Sequence, residues 1–392
     1  MNIKTNKNLS LFSKHYFFWG FSPENVILVI FFGQALNSYT LAGVIFMLRH
    51  LLIAFFELPT GVISDYIGRR KSLIISSIFY ILLKISYLLA CFYNPMLFLA
   101  ISSICYGIAE SFISGTNGAL LYETLETDNK EKEFHSYYGK FKAYHTIALA
   151  VSGLLGGFIA SFFSFEYIMV LSLIGSVLFL LTNVRLYDLL EHKVDTGHIK
   201  HTVNACYNIV SNKKLLWVAI SSVVGSGGNR AVREYMPSYL ESLIPYWAMG
   251  IFRFLNWTFT SISSWYSDFF TKMWGLVRSY KIFSVMGPFS ILFALLVNNI
   301  LTPFIILFEY FAHGASHAIG SEIKQKEFTK NQRATMDSII SMFGNISEGL
   351  VSLLVGFMAQ MFTPYYAMFI ALAFRLIALP ALFKAFRNNK NI

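Results

Sequence analysis

The chain has 392 residues, 55% of them hydrophobic, 17% aromatic and only 13% charged, with a net charge of +10 and a mean hydropathy of +0.55. A soluble domain carries about 25% charged residues, so a water-soluble fold of this size could not cover its surface, and a disordered chain is excluded for the same want of polarity. What remains is an integral membrane protein with many spans.

A span needs about 20 mostly apolar residues. Hydropathy predicts twelve, over residues 12–34, 40–60, 72–92, 96–121, 140–162, 165–186, 213–236, 245–266, 278–297, 300–322, 335–361 and 364–386. The connectors after odd-numbered spans are short and nearly free of Lys and Arg, whereas those after even-numbered spans are basic. Arg69, Arg70 and Lys71 follow span 2, Lys130 and Lys132 follow span 4, and Lys193, Lys200, Lys213 and Lys214 follow span 6. Lys272, Arg278 and Lys281 follow span 8, and Lys324, Lys326, Lys330 and Arg333 follow span 10. Of the 31 Lys and Arg, all but six lie in the basic connectors and tails or at the span ends that adjoin them. The positive-inside rule then predicts both termini in the cytoplasm. The same placement accounts for the net charge through the lipid bilayer, so no nucleic-acid partner is expected.

The longest connector divides the chain into an N-terminal six-helix bundle (1–187), a cytoplasmic linker (188–212) and a C-terminal six-helix bundle (213–392). The two halves echo each other at a nearly constant offset. Ser64-Asp65 recurs as Ser267-Asp268, Arg49 as Arg253 and Glu110 as Glu309, which suggests a parallel duplication. The three cysteines, Cys91, Cys105 and Cys206, have neither CxxC nor Cys/His metal spacing and read as packing residues.

The densest motif is Gly61-Val-Ile-Ser-Asp65-Tyr-Ile-Gly68-Arg69-Arg70-Lys71, between spans 2 and 3. Gly61 would let two helices approach closely. Asp65 would pair with a basic group or face a helix N-terminus. Gly68 would make the turn, and the three cations would hold the loop inside and lock it by ion pairs. In the second half, Asp268 is kept and most of the glycine and arginine pattern is lost.

This loop resembles the signature loop of the major facilitator superfamily. Three further segments resemble a bacterial efflux-like subgroup: Glu57-Leu-Pro-Thr-Gly61, Ser114-Gly115-Thr-Asn-Gly-Ala119-Leu-Leu-Tyr122-Glu123, and Arg333-Ala-Thr-Met-Asp-Ser338. The resemblance implies an all-α membrane protein of the major facilitator fold, with twelve transmembrane helices in two six-helix bundles. It also implies a monomeric inner-membrane transporter that works by alternating access on a small-molecule substrate. Span 5 keeps glycines (Gly153, Gly156, Gly157) and lacks the proline common in the family's antiporters.

Ionisable groups inside spans cost about 3 kcal/mol each near mid-bilayer and are functional candidates by default. The acids are Glu24 beside Pro23, Glu110, Glu309 and Glu348. They are candidates for proton coupling, with Glu24 and Glu110 foremost and Arg49 as their expected partner. Static ion pairs are the alternative. Arg230, Arg253, Arg375 and His313 are candidates for a substrate cavity, while Arg230, Arg233 and Glu234 form either an external gate or a snorkelling cluster. His313 and His317 share a helix face without a third ligand, so no metal is expected. No P-loop, GxSxG or HExxH occurs, so no enzyme activity and no cofactor are expected; the proton motive force would drive transport. The expected function is export of an antibiotic or toxic metabolite, including a producer's own. Uptake of a nutrient is the alternative, and a non-transporting receptor or membrane-embedded enzyme is the second.

Overall fold

Apolar runs broken by Pro, Asn and Gly dictate long helices joined by short turns, and that is what forms. A computed structural model describes residues 3–188, 206–328 and 333–387. Helices α1 (Ile3–Gly20) and α2 (Leu28–Ala35) make the first span, followed by α3 (Tyr39–Ile67), α4 (Arg69–Phe92), α5 (Pro95–Glu126), α6 (Phe134–Phe162) and α7 (Phe165–Asn183). The second half holds α8 (Lys213–Leu240), α9 (Tyr246–Trp265), the short α10 (Ser267–Trp274), α11 (Leu276–Val297), α12 (Thr302–Glu327), α13 (Arg333–Met361) and α14 (Pro364–Ala385). Residues 189–205, most of the predicted linker, lie outside the described residues.

The first span is broken. Pro23 opens a 3-10 turn, Pro23–Val26, and the two flanking helices bend by 49°. A proline removes a backbone donor and disfavours the helical conformation of its predecessor. Gly156 of α6 accommodates the break, because a Cβ there would collide with the Pro23 carbonyl. Helix starts are set by caps: the Asn94 side chain accepts from Leu97 N at 3.1 Å before Pro95, and Asn212 accepts from Leu215 N at 3.1 Å.

Eight helices are long and apolar enough to cross a membrane, and the bent α1–α2 pair makes a ninth. Helices α8, α9 and α12 complete the twelve spans predicted. They are long enough, at 28, 20 and 26 residues, but more polar. Two of these three, α8 and α12, turn their polar residues into a cavity described below, which is why hydropathy alone understates them.

The chain groups into two compact units. One comprises Met1–Ser38, Leu48–Asp195 and Tyr246–Phe254; the other comprises Tyr39–Met47, Thr196–Pro245 and Leu255–Ile392. In the first, α4 packs against α5 and α7, and α1 against α6 and α7. Phe12, Tyr16 and Phe141 fill its interior, with the Tyr16 and Phe141 rings stacked at 5.8 Å. In the second, α8 packs against α13 and α14, and α11 against α12. Phe283, Ile319 and Leu382 lie in its core.

Candidate functional site

The signature motif folds differently from a loop. Gly61 to Ile67 continue α3, and the turn is one residue, Gly68, which caps α4 at φ 94° and ψ 155°. Only glycine occupies that region without a cost of about 1–3 kcal/mol. The expectation that Gly61 permits close helix approach is overturned: a Cβ there would meet nothing within 4 Å among the described residues. Arg69 bridges two acids, with its Nη1 2.8 Å from Asp65 and its Nε 3.2 Å from Glu123. The signature motif thereby touches the Ser114–Glu123 segment. Arg70 donates its amide to Asp188 at 2.8 Å and its guanidinium to the Val184 carbonyl at 2.6 Å. Lys71 is exposed.

The second half keeps a glycine that spacing concealed. Gly275 caps α11 at φ 82° and ψ 153°, the same conformation as Gly68. Ser72 N–H bonds to the Gly68 carbonyl and Ser279 N–H to the Gly275 carbonyl. The amphipathic α10 carries Asp268 in its first turn and ends just before this glycine, so the repeat is preserved in backbone geometry and not in spacing. Gly68→Ala and Gly275→Ala should each lower stability by about 1–3 kcal/mol. Unfolding in a denaturing detergent measures this, and two unchanged midpoints would refute the shared turn.

The four predicted acids sit in different surroundings. Glu24 is 2% exposed and pairs with Lys84, itself 3% exposed; its other oxygen accepts from Ser172 at 2.5 Å. Arg49, the partner expected from the sequence, instead stacks over the Tyr106 ring at 3.8 Å. Lys84 of α4 is the cation that reaches the 3-10 turn. Arg375 donates from Nη2 to one Glu309 oxygen at 2.8 Å, and its Nη1 lies 2.7 Å from the other as an ion-pair contact. Glu348 accepts from Arg230 at 2.9 Å, and Arg230 also lies 3.7 Å from Glu234.

Glu110 differs. It accepts a short hydrogen bond from the Tyr80 hydroxyl, which in turn accepts from Trp19 Nε1 at 3.2 Å. Among the described residues it has no ion-pair partner. Lys142, a cation of the same unit, lies over the Trp19 ring at 4.9 Å and the Tyr138 ring at 5.7 Å.

A polar cavity of about 500 Å³ opens within the second unit, walled by α8, α11, α12, α13 and α14. Arg375, His313 and Glu348 line it, as does Arg233, which donates to His313 Nε2 at 2.9 Å. Arg230 is not among its lining residues, being turned to Glu348 and Glu234, and Arg253 belongs to the other unit, packed against Gly153. Of the pair on α8, Arg233 and not Arg230 lines this cavity. The missed signal was Ser222, Ser226, Asn229 and Arg233, polar residues at helical spacing on one face of α8. The described residues include no group of three or more His, Cys, Asp or Glu able to hold a metal ion.

The fold is shared widely. A mutant of the nucleoside transporter NupG superposes with a TM-score of 0.78 at 14% identity, over 97% of this chain and 100% of that one. A bacterial homologue of the iron transporter ferroportin, in an inward-facing state, gives 0.75 at 16% identity over 98% and 99%. A D-xylose–proton symporter gives 0.74 at 14% identity over 97% and 98%. At such identities the likeness is one of fold. No curated protein sequence matches the chain. The sequence model described as Major Facilitator Superfamily matches residues 15–308. With that match covering most of its length and the twelve-span plan beside it, the chain belongs to the major facilitator superfamily.

Proposed function

We propose that the protein is a proton-coupled secondary transporter that works by alternating access and exports a small organic compound across the inner membrane, with both termini in the cytoplasm. Glu110 carries the reading. Glu24, Glu309 and Glu348 are each neutralised by a cation, and a neutralised acid has little reason to take up a proton. Glu110 has no ion pair; its direct support is the Tyr80 hydroxyl, with Lys142 acting on it from beyond contact, so of these four acids it is the one most open to exchanging a proton as its surroundings change. The polar cavity of the second unit supplies a place for the solute. Export rests on the resemblance of the Glu57–Gly61, Ser114–Glu123 and Arg333–Ser338 segments to efflux-like members, and the cargo in view is an antibiotic or toxic metabolite.

A growth screen tests this. The chain is expressed in a drug-sensitive bacterium lacking its main pumps, with and without a protonophore. Protection against at least one toxic compound, lost with the protonophore, is the expected result. Heightened sensitivity would reverse the direction. Unchanged growth across a broad panel, with the protein present in the membrane, would refute the export reading.

A further inference from the structure

The cavity in the second unit has a charge arrangement that proton coupling does not require. Three cations line it, Arg233, Arg375 and Lys324, against two acids, Glu348 and Asp337. Most of these charges are already matched. Arg375 is held by Glu309 at 2.7 Å, Lys324 lies 3.7 Å from Asp337, and Glu348 is taken by Arg230. Arg233 is left over. Among the described residues it has no ion pair with a carboxylate, and its guanidinium bonds to a histidine ring nitrogen instead. A guanidinium only donates, so His313 Nε2 must accept, and the ring carries its proton on Nδ1. His313 is therefore a neutral orienting group, and Arg233 carries its charge within a membrane-spanning helix.

A cation without a carboxylate in contact is costly in a membrane-spanning bundle, and Glu348 and Glu309, each paired with another arginine, act on Arg233 only from beyond ion-pair distance. The neighbouring polar groups are also unfilled. The buried Asn229 side-chain oxygen has no donor. The Ser222 and Ser284 hydroxyls line the same cavity without a protein partner among the described residues. Buried polar groups are normally satisfied, so the Asn229 oxygen stands out, and the half-buried Ser222 and Ser284 hydroxyls of the same cavity are open to something that enters. A guanidinium fork matches the two oxygens of a carboxylate or phosphate. Asn229 needs a donor and the serines accept or donate, which suits hydroxyl or amide groups. The volume, about 500 Å³, lies in the usual range for small-molecule sites.

We propose that this cavity is an oxyanion site, in which Arg233, oriented by His313, grips a carboxylate or phosphate while Asn229, Ser222 and Ser284 hold hydroxyl groups on the same solute. The cargo class is then a hydroxylated organic anion. Binding there stands by itself, and only what happens after binding rests on the transporter reading.

Thermal unfolding of the purified full-length protein in detergent, at constant ionic strength, tests it. The probes are gluconate, glucuronate and glycerol 3-phosphate, each against its neutral counterpart sorbitol, glucose or glycerol. At least one anion should raise the midpoint saturably, and its neutral counterpart should not. Arg233→Gln should weaken that anion by roughly tenfold or more, whereas Arg233→Lys, which keeps the charge and checks folding, should retain part of it. Stabilisation by no anion, or by an anion and its neutral counterpart alike, would overturn the site. So would an anion effect unchanged in Arg233→Gln. Binding that obeys these expectations without movement of the same probe into liposomes would keep the site and refute the transporter reading. Transport of a neutral or cationic solute untouched by Arg233→Gln would do the reverse.

Discussion

Lys84→Met should cost about 3–5 kcal/mol of stability, the usual consequence of stripping one partner from a buried ion pair. Both charges are almost wholly enclosed, with Lys84 at 3% and Glu24 at 2% exposure. The carboxylate sits where the first span is broken, and its second oxygen is already occupied by Ser172. Without Lys84 it has no other cation among the described residues, so it must either take a proton or remain charged in a dry interior. The double variant Glu24→Gln/Lys84→Met removes both charges and should recover much of the loss. Reversible unfolding in mixed micelles measures all three proteins. A single variant within about 1 kcal/mol of wild type would show that the pair is not a structural anchor. A double variant no better than the single one would mean that the site needs the charges themselves.

Glu110→Gln should act on coupling and not on folding. Glutamine keeps the size and can still accept from Tyr80, so the helix contact between α4 and α5 survives. What is lost is the exchangeable proton. In proteoliposomes, accumulation driven by an imposed pH gradient should fall by roughly tenfold or more, equivalent to about 1.4 kcal/mol of driving energy. Exchange of labelled for unlabelled solute without a gradient should continue. Such a split separates a coupling residue from a binding one. Full gradient-driven accumulation by the variant would transfer the role to another acid and refute the assignment. Loss of both modes would place Glu110 in the substrate site instead.

The number of spans, their approximate limits and the alternation of basic connectors are legible in the order of residues alone. Hydropathy and charge are local properties, and the bilayer reads them residue by residue. The break in span 1 is legible too, because Pro23 acts on its own neighbours whatever the helix packs against. The eight-residue α10 is not, being too short and too amphipathic to stand out between spans 8 and 9.

Which charges neutralise each other lay beyond the sequence. Lys84 is 60 residues from Glu24, Arg375 is 66 from Glu309, and Arg230 is 118 from Glu348. Those pairings depend on how each helix is rotated about its axis and which neighbour it meets, and both are set by packing across the bundle. Arg49, the partner expected from the sequence, lies over Tyr106, and Lys84 takes Glu24. Arg230 and Arg233 are three residues apart with the same chemistry, and one turn of α8 sends the first to Glu348 and the second to His313 in the cavity. The sequence by itself thus determined a twelve-span membrane protein with charges inside its spans. Only the tertiary structure decided that Glu24, Glu309 and Glu348 each sit in an ion pair while Glu110 contacts a hydroxyl and Arg233 a histidine ring, because neutralisation is a property of distances between helices and not of order along the chain.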